Sequence, residues 1–281
     1  MTSRNVPRLM LVTDRVRAAL PLPEVARCAI EGGVDIVQIR EKDLPIDELR
    51  THTEHVIAAV GDRSRVSINS ALTIAADLGT GVHLPEHGVS PAEARRILGD
   101  DALIGRSVHS PASATAGAGA DYLIAGHVFA TASKPDLPPI GLDGLRRIAG
   151  STSIPILAIG GITAANVQSV LEAGAFGAAV MSAINASSNP RQAAREICDC
   201  MRLEKANSMT ATATTIDLTI NGKPVALDSG TTVQRYLESK GYHERLVVVE
   251  LNEAILPRSA FASTVLTAGD RVEVVHFVGG G

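Results

Sequence analysis

The stretch ILAIGGITAANVQSVLEAGAFGAAVMS, residues 156–182, decides the fold. It contains two short apolar runs, at 156–159 and 178–182, separated by a glycine pair and an amphipathic segment at 164–173. Val, Ile, Leu and Ala fill both runs, as in parallel strands that are buried on both faces. The stretch therefore predicts a strand, a helix and a second parallel strand, with a glycine turn after the first strand.

The same alternation extends towards the N-terminus and gives eight strand–helix units before residue 206. Eight such units are typical of a (β/α)8, or TIM, barrel. A doubly wound open sheet also alternates, but the count of eight and the glycine-rich turns after the last two strands favour closure. In barrels of this kind, chemistry lies at the C-terminal ends of the strands, and phosphate is often bound after strands seven and eight.

The pattern changes at residue 207. Residues 207–213 are small and polar and predict a linker between a barrel of residues 1–206 and a second domain of residues 214–281. In the second domain, 216–220 alternates with period two, and Asn221-Gly222 predicts a hairpin turn. A helix and further strands follow, which predicts a small α+β, ubiquitin-like β-grasp domain. The chain ends in Gly279, Gly280 and Gly281, a tail without side chains that could enter a narrow enzyme channel and present its carboxylate.

Composition excludes several classes of protein. Apolar residues make up 45% of the chain, charged residues 20%, and the net charge is −4, so nucleic-acid and membrane-surface partners are not expected. Three cysteines at irregular spacing predict reduced thiols rather than a disulfide framework. Together with the polar first seven residues, this predicts a cytoplasmic protein.

Candidate ligand-binding residues stand at the ends of the predicted strands. Gln38, Arg40 and Lys42 stand at the end of strand two, and the two cations suit an anionic substrate. A surface ion-pair cluster with Glu41 and Asp43 is an equal alternative. Ser107 ends strand five.

The loops after the later strands add further candidates. A phosphate is predicted to bind to the backbone of Gly160 and Gly161 and of the end of strand eight. The candidate residues of these loops are Lys134, Gly160, Gly161, Met181 and Ser182. His127, near the end of predicted strand six (Tyr122–Phe129), is the candidate for proton transfer because imidazole both takes and returns a proton near neutral pH. His52 with His55, and His83 with His87, are weaker pairs, and no metal site is predicted from them.

The barrel resembles the thiamine phosphate synthase superfamily over residues 8–202. The matching motifs are VQIREKDL (37–44), GRSVHS (105–110), GHVFATASK (126–134), AIGGIT (158–163) and VMSAI (180–184). The superfamily contains a Mg²⁺-dependent synthase, which joins a pyrimidine pyrophosphate to a thiazole phosphate, and a thiazole tautomerase (TenI). Synthases usually carry an Asn-Asp pair after strand three and an acidic residue after strand four, where this chain has Asn69-Ser70 and Gly88.

This resemblance predicts the tautomerase branch, an isomerase that aromatises thiazole phosphate carboxylate without a cofactor. His127 matches the proton-transferring histidine of that branch, with Arg40 and Lys134 as candidates for steering the carboxylate. Gln38, Arg40 and Lys42 also fit the pyrophosphate site of the synthase. A thiamine phosphate synthase fused to the second domain therefore remains an alternative, as does a non-catalytic barrel that only docks that domain.

The C-terminal domain resembles the sulfur carrier of thiazole biosynthesis (ThiS), through INGK (220–223), the segment around 249–252 and GDRVE (269–273). The resemblance implies that a ThiF-like partner consumes ATP to adenylate Gly281, which then becomes a thiocarboxylate that donates sulfur to thiazole synthase. The whole chain is thus predicted to be a bifunctional protein of thiazole biosynthesis, and a homo-oligomer is compatible with it.

Overall fold

A computed structural model describes residues 6–131, 136–210, 215–240, 242 and 247–276. The chain divides into two compact units, Met1–Lys205 and Ala206–Gly281. In the described part of the chain, no helix combines the length and hydropathy that a membrane span requires.

Eight parallel strands close into a barrel in which each strand pairs with the next and the last pairs with the first. The strands are Leu9–Val12 (β1), Ile36–Ile39 (β2), Val66–Asn69 (β3), Gly81–Leu84 (β4), Ile104–Val108 (β5), Tyr122–Gly126 (β6), Ile156–Ile159 (β7) and Gly177–Val180 (β8). The helices of this unit are Leu22–Glu31 (α1), Ile46–Val60 (α2), Leu72–Leu78 (α3), Pro91–Leu98 (α4), Pro111–Thr115 (α5), Gly141–Ala149 (α6), Val167–Glu172 (α7), Ser182–Asn185 (α8) and Pro190–Thr210 (α9). The predicted (β/α)8 barrel is confirmed.

Two apolar layers hold the barrel together. The larger lies between the strands and the helices, and the smaller fills the barrel interior; its buried members are Met10, Val12, Ile36, Tyr122, Ile124, Leu157 and Ala179. A filled interior is what this fold requires, because the barrel is a packed core rather than a pore. Helix starts follow their local sequence: the Ser90 hydroxyl accepts the Glu93 backbone N–H at 3.2 Å and so caps α4.

Two element boundaries differ from the sequence prediction. β6 ends at Gly126 rather than at Phe129, because the backbone carbonyls of His127 and Val128 accept hydrogen bonds from the 140–141 segment. Helix α9 continues through Thr210, so the first residues of the predicted linker are helical, and the linker residues 211–213 lie outside the described residues.

The second unit has its own five-stranded sheet, in the order β10-β9-β13-β11-β12. Its elements are Thr215–Ile220 (β9), Lys223–Asp228 (β10), Val233–Ser239 (α10), Val247–Leu251 (β11), Ala254–Leu256 (β12) and Arg271–His276 (β13). Hydrophobic residues of α10 and of the central strands form a separate core. A hairpin, a helix and a mixed sheet with parallel β9 and β13 make this a β-grasp domain, as predicted.

Candidate active site

A cavity of about 240 Å³ opens at the C-terminal ends of the barrel strands. Most of the predicted barrel-site residues that the structure describes line it; they are Gln38, Arg40, Ser107, His127, Gly160, Gly161, Met181 and Ser182. Lys42 instead lines a neighbouring cavity with Glu41 and Ser70. Lys134 and the tail residues Gly279, Gly280 and Gly281 lie outside the described residues.

One wall of the cavity carries Gln38 and Arg40. Gln38 is 2% exposed, and its Nε2 donates to Asn69 Oδ1 at 3.5 Å, whereas its Oε1 finds no partner in the described part of the chain. A buried amide oxygen without a partner is costly, so it is suited to accept a hydrogen bond from a bound ligand. Burial lowers the pKa of the Arg40 guanidinium, and the carboxylates of Asp14 and Glu41 oppose this shift. A half-buried guanidinium remains cationic and attracts an anion strongly because little water screens it.

Glu41 and Asp43, the acidic residues of the predicted surface ion-pair cluster, both pair with Arg15, but Glu41 is buried. Glu41 is 6% exposed; it accepts hydrogen bonds from the Thr13 hydroxyl at 2.5 Å and from the Arg15 backbone N–H at 3.0 Å. Thr13 in turn accepts the Arg40 N–H at 2.9 Å. The carboxylate therefore fixes the backbone after β2, and this leaves the Arg40 side chain directed to the cavity.

The loops after β6 and β7 pack directly against each other. His127 is 6% exposed, and its Nε2 lies 3.0 Å from the carbonyl oxygen of Leu137. Because a carbonyl oxygen only accepts hydrogen bonds, Nε2 carries a proton and donates it to this contact. Gly160 has φ of +102°, and a Cβ at that position would overlap His127. The absence of a side chain at Gly160 therefore allows both the turn and the position of His127.

Several residues of the site were not predicted. Asn69, His83 and His109 line the cavity, as do Asp14 and Arg17, which form an ion pair at 2.9 Å. The His109 ring pairs with the Glu86 carboxylate, with Nδ1 and Oε2 2.7 Å apart.

The donor set does not fit a divalent cation held by the protein. Mg²⁺ prefers carboxylate oxygens, but the strand-three position carries Ser70, and Asn69 Oδ1 is already an acceptor for Gln38. Glu86 is paired with His109. Among the described residues, no group of three His, Cys, Asp or Glu side chains could hold a metal ion.

A closed (β/α)8 barrel with a polar cavity at the C-terminal strand ends defines the class of barrel proteins whose ligand site lies on that face. Comparison with known proteins gives the family: the chain belongs to the thiamine monophosphate synthase (TMP-TENI) family, whose model matches residues 9–184. The ThiS family model matches residues 218–281. The chain is thus a fusion of a TMP-TENI barrel and a ThiS-family domain, and both families belong to thiamine biosynthesis.

Individual relatives agree with this assignment. The thiamine-phosphate synthase of Natronomonas pharaonis is 43% identical over 192 residues, which cover 63% of this chain and 86% of the relative. The thiamine-phosphate synthase of Methanoculleus marisnigri is 42% identical over 204 residues, covering 70% and 97%. The structure of thiamine phosphate pyrophosphorylase from Pyrococcus furiosus, 33% identical, aligns with a TM-score of 0.62 and covers 70% of this chain and 96% of that one.

These relatives correct the predicted reaction class. The chain was expected to be an isomerase, a thiazole tautomerase, on the basis of His127 and the strand-three and strand-four ends. The curated relatives that cover the barrel are named thiamine-phosphate synthases, which are transferases, and this contradicts the isomerase assignment. The motif around His127 was therefore not sufficient to assign a reaction, since one side chain at a strand end is compatible with several chemistries.

Proposed function

We propose that the barrel is a transferase of the thiamine-phosphate synthase type, joined to a sulfur carrier. It would couple a pyrimidine diphosphate to a thiazole phosphate and release diphosphate. The observation that carries this proposal is the similarity of the whole barrel to thiamine-phosphate synthases, at 43% identity over 192 residues for the Natronomonas protein.

The cavity has the groups that two phosphorylated substrates need. Arg40 supplies a partly desolvated cation on one side, and the Gly160-Gly161 turn supplies backbone without side chains on the other. The unpartnered Gln38 Oε1 would accept a hydrogen bond from an amino group of a heterocycle. His127 borders the same space, and we assign it to contact with the bound ring.

The synthase of this family uses Mg²⁺, and the residues at the corresponding strand ends do not fit it. Among the described residues, Arg17 and Arg40 are the arginines that line the cavity, and Arg40 would balance part of the negative charge of the leaving diphosphate.

We propose that the C-terminal domain carries sulfur as a thiocarboxylate on Gly281. Its match to the ThiS family supports this. A ThiF-like adenylating partner would consume ATP to activate the tail, and thiazole synthase would receive the sulfur. Mass spectrometry of the chain after incubation with that partner, ATP and a sulfur donor should show a gain of about sixteen mass units, the exchange of one oxygen for sulfur. A variant without Gly280 and Gly281 is the control and should show no gain.

The unsuitable metal donor set favours a second candidate, a barrel that binds phosphorylated thiazole without catalysis and only docks the carrier. A coupling assay with both substrates, with and without Mg²⁺, separates the two. Formation of thiamine phosphate that is lost in Arg40→Gln supports the transferase. If no thiamine phosphate forms while sulfur transfer is intact, the result supports a non-catalytic barrel that docks the carrier.

A further inference from the structure

His83 and Ser107 form a polar pair at the floor of the cavity. They lie on the neighbouring strands β4 and β5, whose register places His83 opposite Gly105. His83 is 2% exposed, and its Nε2 lies 2.9 Å from the Ser107 hydroxyl oxygen. Both side chains line the cavity. The pair therefore joins a buried imidazole to a hydroxyl that can reach a ligand.

The surroundings of His83 keep its imidazole neutral. The ring stacks on Tyr122, which is fully buried, with ring centroids 5.9 Å apart. Burial lowers the pKa of His83 to about 3, and the positive charge of Arg40 contributes in the same direction. A neutral imidazole carries its single proton on either Nδ1 or Nε2, and the other nitrogen has a lone pair.

The environment of the other ring nitrogen decides between them. Nδ1 is buried and finds no partner among the described residues. A proton on Nδ1 would leave a buried N–H donor unsatisfied, which is a rare arrangement in proteins. A proton on Nε2 instead gives the N–H a partner, the Ser107 oxygen, and leaves only a lone pair on Nδ1.

We propose that His83 is a positioning residue, which donates Nε2–H to Ser107 and so holds the Ser107 hydroxyl as a hydrogen-bond donor towards a phosphate oxygen of the ligand. Ser107 has one proton and two lone pairs. Once it accepts from His83, its own O–H is available to the cavity, where Arg40 draws the anion. The identity of the ligand as a phosphorylated molecule rests on the proposed function, but the tautomer does not.

NMR of the full chain labelled with ¹⁵N-histidine tests the tautomer without any substrate. The His83 signal, assigned by its loss in His83→Gln, should show a protonated Nε2 and an unprotonated Nδ1 at pH 7. A protonated Nδ1, or a doubly protonated ring, would overturn the proposal.

Calorimetric titration with inorganic pyrophosphate tests the consequence. Ser107→Ala should weaken binding about 10-fold or more, the usual loss for a hydrogen bond to a charged group. His83→Asn should weaken it to a similar extent, and the double variant should lose no more than either single one. His83→Gln is the matched rescue, because the Gln amide N–H can take the place of Nε2–H. Wild-type affinity in His83→Asn, or additive losses, would show that His83 only packs.

Pyrophosphate binding by the wild-type chain also separates this inference from the proposed function. If the chain binds neither pyrophosphate nor phosphate, the proposed function and the ligand part of the inference both fail. If it binds them but makes no thiamine phosphate, the proposed reaction alone is wrong.

Discussion

Replacing His83 with Gln should remove part of the acid sensitivity of the barrel. The His83 imidazole is buried, and burial lowers its pKa to about 3 in the folded chain, against an ordinary value of 6.5. Below pH 6.5 the His83 imidazole is therefore protonated in the unfolded chain but stays neutral in the folded chain. Stability contributed by neutral His83 is complete above pH 6.5 and is lost progressively as the pH falls towards 3.

The size of the effect follows from this difference. Each pH unit within the interval costs about 1.4 kcal/mol, so acidification from pH 7 to 5 should cost the wild-type barrel about 2 kcal/mol through this one residue. Ser107 and Tyr122 contact the ring without carrying charge, Asn69 lies opposite His83 on β3, and Arg40 acts on the ring through its positive charge. None of these neighbours would stabilise an imidazolium by opposite charge.

Hydrogen exchange measured by mass spectrometry on peptides of β4 and β5 reports the barrel alone, after correction for intrinsic exchange at each pH. Between pH 7 and 5, wild-type protein should lose about 2 kcal/mol more than His83→Gln, a difference in which the other titrating groups cancel. His87→Gln, at a side chain that is 96% exposed, controls for removing an imidazole as such. Equal losses in wild type and His83→Gln would refute a buried, neutral His83.

Three further substitutions test other parts of the molecule. Gly160→Ala should weaken phosphate binding, because the new Cβ overlaps His127 and the φ of +102° strains any other residue; calorimetry that finds wild-type affinity would contradict the close packing of the two loops. Asp121→Asn should destabilise the barrel by about 2–3 kcal/mol by breaking its largely buried pair with Arg95 at 2.7 Å, as measured by urea denaturation; a change below about 0.5 kcal/mol would assign the pair to the solvated surface. Asn221→Ala should cost the carrier domain about 2 kcal/mol, because the Asn221 side chain accepts a β13 backbone N–H at 2.7 Å; unchanged exchange of the β13 amides would contradict this.

The barrel could be predicted because its strands are encoded locally. Short apolar runs marked all eight strands, and the glycine pair Gly160-Gly161 marked the C-terminal end of β7. The end of β6 could not be predicted, since Val128 and Phe129 favour a strand beyond Gly126. Long-range hydrogen bonds to the 140–141 segment end the strand, and no local pattern reveals them.

The carrier domain shows the same limit. The Asn221-Gly222 hairpin was recognised from its turn residues, and both strands beside it are present. Strand β12 was missed because it has only three residues and follows the turn at Asn252-Glu253, which lacks the glycine that usually marks a hairpin. Both residues have positive φ there, a conformation that glycine or asparagine favours and glutamate does not.

The alternation of side chains along a strand could have predicted further residues of the cavity. Side chains on a strand alternate between its two faces, so residues two apart point the same way. The buried interior layer contains Ile36 on β2, and two residues later Gln38 reaches the cavity. The relation continues past the ends of three strands; the pairs are Val12 with Asp14, Gln38 with Arg40, and Ser107 with His109. Asn69 and His83 face the same cavity on strands that contribute no residue to the apolar layer.

The chemistry of this barrel is therefore the continuation of its interior core, with polar residues where the core reaches water. The sequence offered His83 only in a weak pair with His87, four positions away, whereas His83 lies on β4 and His87 lies beyond the end of that strand. On a strand, His83 points inward, and its partner is Ser107, which lies 24 positions away along the chain and 2.9 Å away in space. Strand register, not sequence spacing, is what brings such a pair together.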